Sequence, residues 1–396
     1  MSNQTTTQEP TERGTKQSQH LHTTFQTLKE LPTPFYQAQC VPHKHELLIC
    51  GGVYKRACYS YHTLKNEYKF ICEYPNHVKL QGHCTVKLVN NNKHSNQITL
   101  LSFGGKCKHT LMMKYVSVWS NISDKLNKSN ELNNYNQWIP FTDNHNRPII
   151  IGRIEDNYYG VRAVIGGSNN HLLFITYLKN NISVFDLNIF QFIKHDTLPT
   201  SNFINYHCFV LRSENEQEQE QEQEMIKTNK QNYQMLLFKY DTGLSIEYDE
   251  DKSIFKFHPL SVCYDIAAAN QYAYACINDI ILFFGGRLGI FTYKSVHKYL
   301  IRENKWITFE NTLHSPLCDC VAVLSEEDHI HIIGGIDDKH ITVSTHMKTK
   351  VREWDPSHLS KNEIKCIIEY WIQISEIKFG WIDDLDKIIM KYSRNK

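Results

Sequence analysis

The sequence predicts an all-β chain, a six-bladed β-propeller with a short C-terminal α-helical hairpin. Three observations carry that prediction. Five apolar runs each close on a glycine doublet: residues 47–50 on Gly51-Gly52, 100–103 on Gly104-Gly105, 162–165 on Gly166-Gly167, 280–284 on Gly285-Gly286, and 329–333 on Gly334-Gly335. Five bulky pairs stand seven residues apart: Tyr61 and Tyr68, Phe185 and Phe192, Tyr248 and Phe255, Tyr299 and Trp306, Met347 and Trp354. Lastly, residues 25–32 read as the last strand of a repeat that has no repeat before it.

The 396 residues carry a formal net charge of +1, so nothing global points to nucleic acid or an anionic membrane as a partner. Residues 1–22 are polar and are expected to be disordered. They hold no apolar core of an export signal, and no run in the chain approaches the length of a bilayer span. A cytoplasmic setting is therefore expected, with the twelve cysteines as free thiols.

The propeller is expected over residues 23–356. Repeat one runs from about Gln37 to Pro75, and repeat two starts near Gly82. Repeat two carries polar insertions at 90–97 and 121–136, ahead of Trp138. Repeat three holds the Phe185 pair. Repeat four is degenerate: a Glu/Gln-rich tract within about 212–230 is expected to be a flexible loop, and Thr242-Gly243 stands where a doublet should be. Repeats five and six restore the pattern, with Met347 in the aromatic place. From residue 357 the period changes. Ile364, Ile367, Ile368, Trp371 and Ile374 recur at helical spacing, Gly380 breaks the run, and Ile382, Leu385, Ile388 and Ile389 form a second stripe. Residues 357–396 are thus expected to be an amphipathic helical hairpin.

The repeat has a mechanical reading. Two antiparallel strands joined by a short turn place side chains seven apart in one layer of a sheet face, where large groups fill the wedge between sheets. The corner takes glycine because a Cβ obstructs positive φ or close backbone approach. Letting the strand at 25–32 complete the last sheet hides an open edge. The unit resembles the kelch repeat: an apolar strand closed by Gly-Gly, then Tyr, then Trp after six intervening residues. The resemblance covers about residues 23–356 and implies four-stranded blades. Repeats two and four depart from it.

Up-and-down blades put the loops between strands two and three on the same rim as the links between blades. Lys55, Arg56, Lys106, Lys108, His109 and Arg287 follow the glycine corners on that rim, which is expected to stay compact because the long insertions fall on the other. Converging cations would attract an acidic or phosphorylated segment of a partner protein. Kelch domains often read a peptide with residues just after Gly-Gly, and that resemblance implies Lys106, Ser168, Asn170 and Arg287 as contacts; Val53 and Ile336 depart from the pattern. Chemistry is not apparent. There is no Gly-x-Ser-x-Gly elbow or phosphate loop, and His314, Cys318 and Cys320 lack a second cluster to complete four metal ligands. His329 and His331 alternate along a strand as one packed face. The expectation is a non-enzymatic protein-interaction module with no catalytic residue, metal or cofactor. The alternatives are an enzyme or lectin-like site in the central channel, or a substrate adaptor for ubiquitin ligation.

Overall fold

Glu46–Gly52, Leu172–Tyr177 and Ile280–Phe284 are strands buried at every residue. An apolar run without alternation encodes that outcome, a strand covered on both faces by neighbouring sheets. The computed structural model describes residues 15–16, 25–89, 97–120, 135–212, 233–309 and 312–356, together with Cys366, Tyr370, Trp371, Gln373 and Ile374. The chain divides into two compact units, residues 1–349 and 350–396.

The first unit is a six-bladed β-propeller. Blade 1 consists of Gln39–His43, Glu46–Gly52, Lys55–His62 and Glu67–Glu73. Blade 2 consists of His83–Leu88, Gln97–Gly104, Thr110–Val116 and Ile139–Pro140. Blade 3 runs Arg162–Gly166, Leu172–Tyr177, Asn181–Asp186 and Gln191–Thr197. Blade 4 runs Cys208–Leu211, Tyr233–Lys239, Thr242–Asp249 and Ile254–Leu260. Blade 5 holds Ala273–Ile277, Ile280–Phe284, Val296–Leu300 and Lys305–Phe309. Blade 6 holds Val321–Leu324, His329–Ile333 and His346–Lys350, and Gln26–Thr27 completes it antiparallel to the last of these, with Thr27 opposite Met347. The orphan strand therefore closes the ring, as its position in the sequence suggests.

Bulky pairs sit where the spacing of seven places them. Tyr61 faces Tyr68, Phe185 faces Phe192, Tyr248 faces Phe255 and Tyr299 faces Trp306 across the third and fourth strands. Their ring centroids lie 4.8 to 5.1 Å apart. The core is accordingly a set of clusters between adjacent blades. One joins Leu48, Cys58 and Tyr74 of blade 1 and its exit to Leu100, Met113 and Trp138 of blade 2. Another joins Phe174 and Val184 to Leu237 and Ile246, from blades 3 and 4.

Three expectations need correction. In blade 6 the fourth strand comes from Gln26–Thr27, so Met347 does not pair with Trp354, which follows a 3-10 turn at Val351–Glu353 in the second unit. Gly166-Gly167 closes the innermost strand of blade 3 rather than its second strand. Thr15–Lys16, inside the segment expected to be disordered, pairs parallel with Ile307–Thr308 at the outer edge of blade 5. In the second unit the five described tail residues are helical. Most of the Glu/Gln-rich tract, most of both polar insertions of repeat two and the second helical stripe lie outside the described residues.

Candidate functional site

The rim that carries the Gly-Gly corners of blades 1, 2, 5 and 6 is tied together by backbone. Gly286 N–H donates to the Leu317 carbonyl at 2.8 Å, Gly335 N–H to Phe35 at 2.7 Å, and Gly105 N–H to Tyr158 at 3.1 Å. In each case a corner grips the link that leads into the next blade. At Gly285, φ is +61° and a Cβ would lie 2.1 Å from the Leu317 carbonyl oxygen. Only glycine fits such a contact.

A second belt runs inside the first. Each inner strand is entered through one residue with left-handed φ: Gln37, Gly82, Gly160, Tyr206, Gln271 and Asp319. Gln37 N–H donates to the Asp319 carbonyl and Asp319 N–H to Gln271, both at 2.8 Å. Tyr206 N–H donates to Gly160 and Gly160 N–H to Gly82, both at 2.9 Å. Backbone groups that would otherwise face the channel are thus satisfied from blade to blade. Side chains continue the belt across the mouth: the Tyr206 hydroxyl donates to Gln37 Oε1 at 2.9 Å, and Gln37 Nε2 to Asp319 Oδ1 at 3.1 Å. Burial pushes the Asp319 carboxyl up to about 6, against the opposing pull of the Gln37 amide and of Arg287, Arg162 and Lys239.

The expected cationic contacts do not converge as a set. Lys106 is exposed beside Ile154, Asn157 and Tyr159 in a cavity of about 510 Å³ on this rim. Lys108 lines the same cavity, yet its ammonium donates to the carbonyls of Arg153 and Ile154 at 2.6 and 2.8 Å. Arg56 pairs with Glu73 at 3.0 Å and bonds the Tyr74 carbonyl and the Asn76 amide oxygen. Arg287 folds back on the Gly289 carbonyl at 2.7 and 3.0 Å. Lys55 is exposed. Ser168 and Asn170 stand on the opposite rim, because their doublet ends an inner strand; Ser168 there donates to both carboxylate oxygens of Glu250, at 3.0 and 3.2 Å. Nor is the Gly-Gly rim compact throughout, since the link from blade 2 to blade 3 spans residues 141–161.

The sequence reading missed the apolar character of this rim. Tyr54, Ile150, Phe203, Tyr264, Ile290 and Phe291 are each at least 65% exposed, and Ile154 is 99% exposed. All seven lie in the corner loops or interblade links of the Gly-Gly rim. On the opposite rim the exposed large hydrophobics, among the described residues, are Leu64, Val89, Ile189 and Ile254. Such residues are isolated in sequence and gather only when links from different blades come together.

Comparison with known proteins supports the fold alone. A scan against protein-family models gives no match, and no curated protein matches the sequence. Among solved structures, "Structure of YjhT" is similar: 13% identical with a TM-score of 0.52, over 81% of this chain and 95% of that one. At that identity the likeness shows a shared propeller architecture. Among the described residues no helix is long and apolar enough to cross a membrane.

Proposed function

We propose that this chain is a non-enzymatic, kelch-type protein-interaction module that seats a partner protein on its Gly-Gly rim and works in the reducing cytoplasm. The kelch reading is supported by glycine corners in blades 1, 2, 5 and 6 and by four register-paired bulky couples. The interaction reading rests on the seven exposed apolar side chains concentrated on that rim. Exposed apolar surface gathered on one face is the usual mark of a docking site. Because Arg56, Lys108 and Arg287 are engaged within the chain, apolar contacts rather than converging cations are the main source of affinity. Lys106 and Lys55 would then steer an acidic flank of the partner.

The test is a quantitative capture comparison. Ile154→Asp with Phe291→Asp alters the rim, and Leu64→Asp with Ile254→Asp is the control on the opposite rim. The proteins enriched by the native chain should be lost with the first pair and kept with the second. Retention of the same set by the first pair refutes the rim as the contact surface. Lys106→Glu in the same assay measures the charge contribution, expected to be the smaller.

A further inference from the structure

At the Gly-Gly end of the channel the inner strands enclose a cavity of about 220 Å³. One cation, Arg162, lines it, and a second, Lys239, lies within electrostatic reach; among the described residues neither forms an ion pair. Arg162 lines the cavity; among the described residues its guanidinium makes one hydrogen bond, from Nη1 to the Val161 carbonyl at 2.9 Å, and it lies 5.8 Å from the Tyr206 ring centroid. Among the described residues no carboxylate forms an ion pair with it. Lys239 is 1% exposed and shares a strand face with Met235 and Leu237, which pack toward blade 3. Among the described residues no hydrogen bond or ion pair holds its ammonium, which sits 4.5 Å from the Tyr240 ring centroid. The charges acting on it belong to Arg162 and Asp319, both in the cavity wall. Near them His207 Nδ1 is buried with no hydrogen-bond partner among the described residues, while its Nε2 meets the Thr176 hydroxyl at 2.6 Å. A buried ammonium and a largely unsaturated guanidinium are costly unless something negative joins them.

We propose that the channel mouth is a binding site for one small free anion, a carboxylate or phosphate, held by Arg162 in the cavity wall with the charge of Lys239 close behind it. The guanidinium fork offers the paired donors that planar or tetrahedral oxyanions accept. Asp319, Gln37 and Tyr206 are placed to read a hydroxyl on the same molecule. The volume equals about seven water volumes, which suits a molecule of a few carbons. The Tyr206–Gln37–Asp319 chain joins blades 4, 1 and 6 across the mouth, so a free small molecule fits where a peptide strand does not.

Acetate, succinate, citrate and inorganic phosphate are the probes, titrated into the full chain by calorimetry with Tm followed in parallel. At least one is expected to bind one-to-one and raise Tm, and Arg162→Met to weaken it by about tenfold or more. Lys239→Met is expected to weaken it as well, yet to raise the Tm of the anion-free protein, because a buried cation lacking a counter-ion has gone. Saturable binding by none of the four at millimolar concentration overturns the proposal, as does unchanged binding in Arg162→Met. A lower anion-free Tm in Lys239→Met also overturns it, since it would mark the ammonium as already satisfied. Ile154→Asp with Phe291→Asp leaves the anion site intact, so this proposal and the rim reading fail separately.

Discussion

Acidification should unfold this propeller well above the range where carboxylates lose their charge. His83, His207, His297, His331 and His346 are at most 3% exposed. Burial pulls His83 and His346 down to about 3 and His297 to about 4, with His331 and His207 lowered in the same direction. In the unfolded chain each titrates near 6.5. A depressed histidine therefore binds its proton mainly when unfolded, so stability is present above about pH 6.5 and lost as pH falls below it. Between about pH 7.5 and about pH 5 one such histidine costs about 2 kcal/mol. His331 Nδ1 and His346 Nε2 share one hydrogen bond at 2.9 Å, and counting that coupled pair as a single unit gives a lower bound on the loss. Four independent units then amount to about 8 kcal/mol. Asp319 works the other way, because its raised carboxyl is relieved by protonation, returning about 1.4 kcal/mol over the same range. The net loss, about 6 to 7 kcal/mol, is comparable to the whole stability of an ordinary domain. Urea unfolding followed by tryptophan fluorescence at about pH 7.5, 6 and 5 measures it. Less than about 2 kcal/mol lost between the extremes would refute burial of neutral histidines as the controlling feature.

Other outcomes follow from the same geometry. Gly285→Ala forces a Cβ against the Leu317 carbonyl at positive φ and disturbs the Gly286 hydrogen bond, for a loss of about 2 to 3 kcal/mol in urea unfolding. Gly166→Ala meets side-chain ring edges rather than backbone, Phe174 at 3.0 Å and Tyr233 at 3.7 Å, and should cost clearly less; equal losses would contradict the placement of that doublet on an inner strand. Deleting residues 1–28 removes the buried Phe25 and the fourth strand of blade 6, lowering stability by about 3 to 5 kcal/mol. It also bares a strand edge, so light scattering should show association that grows with concentration.

Most of the architecture was legible because each repeat writes its own strand, corner and wedge. Blade 3 shows where that legibility stops. A glycine doublet looks the same whichever strand it ends, and Gly166-Gly167 follows an apolar run just as Gly285-Gly286 does. The available signal was distance: Gly166 stands nineteen residues before Phe185, whereas Gly51, Gly104, Gly285 and Gly334 stand ten to fourteen before Tyr61, Tyr115, Tyr299 and Met347. The excess is the length of a strand. The site was less legible. Arg162, Lys239 and Asp319 are single polar residues in blades 3, 4 and 6, and nothing along the chain says that they come within electrostatic reach of one another. The charges at Arg56, Lys108 and Arg287 were visible, but their internal partners, Glu73, the Arg153 carbonyl and the Gly289 carbonyl, depend on how loops fold back.

The pairing of Thr27 with Met347 sets an order of events during synthesis. A ribosome adds about 5 to 20 residues each second, so Gln26–Thr27 emerges roughly 15 to 60 seconds before its partner strand exists. Through that interval the earliest blades can form, while the clasp segment stays without its mate and Phe25 without its pocket. Nascent chains halted after blade 5 would therefore carry a sticky leading end, a natural target for chaperones until translation passes Lys350.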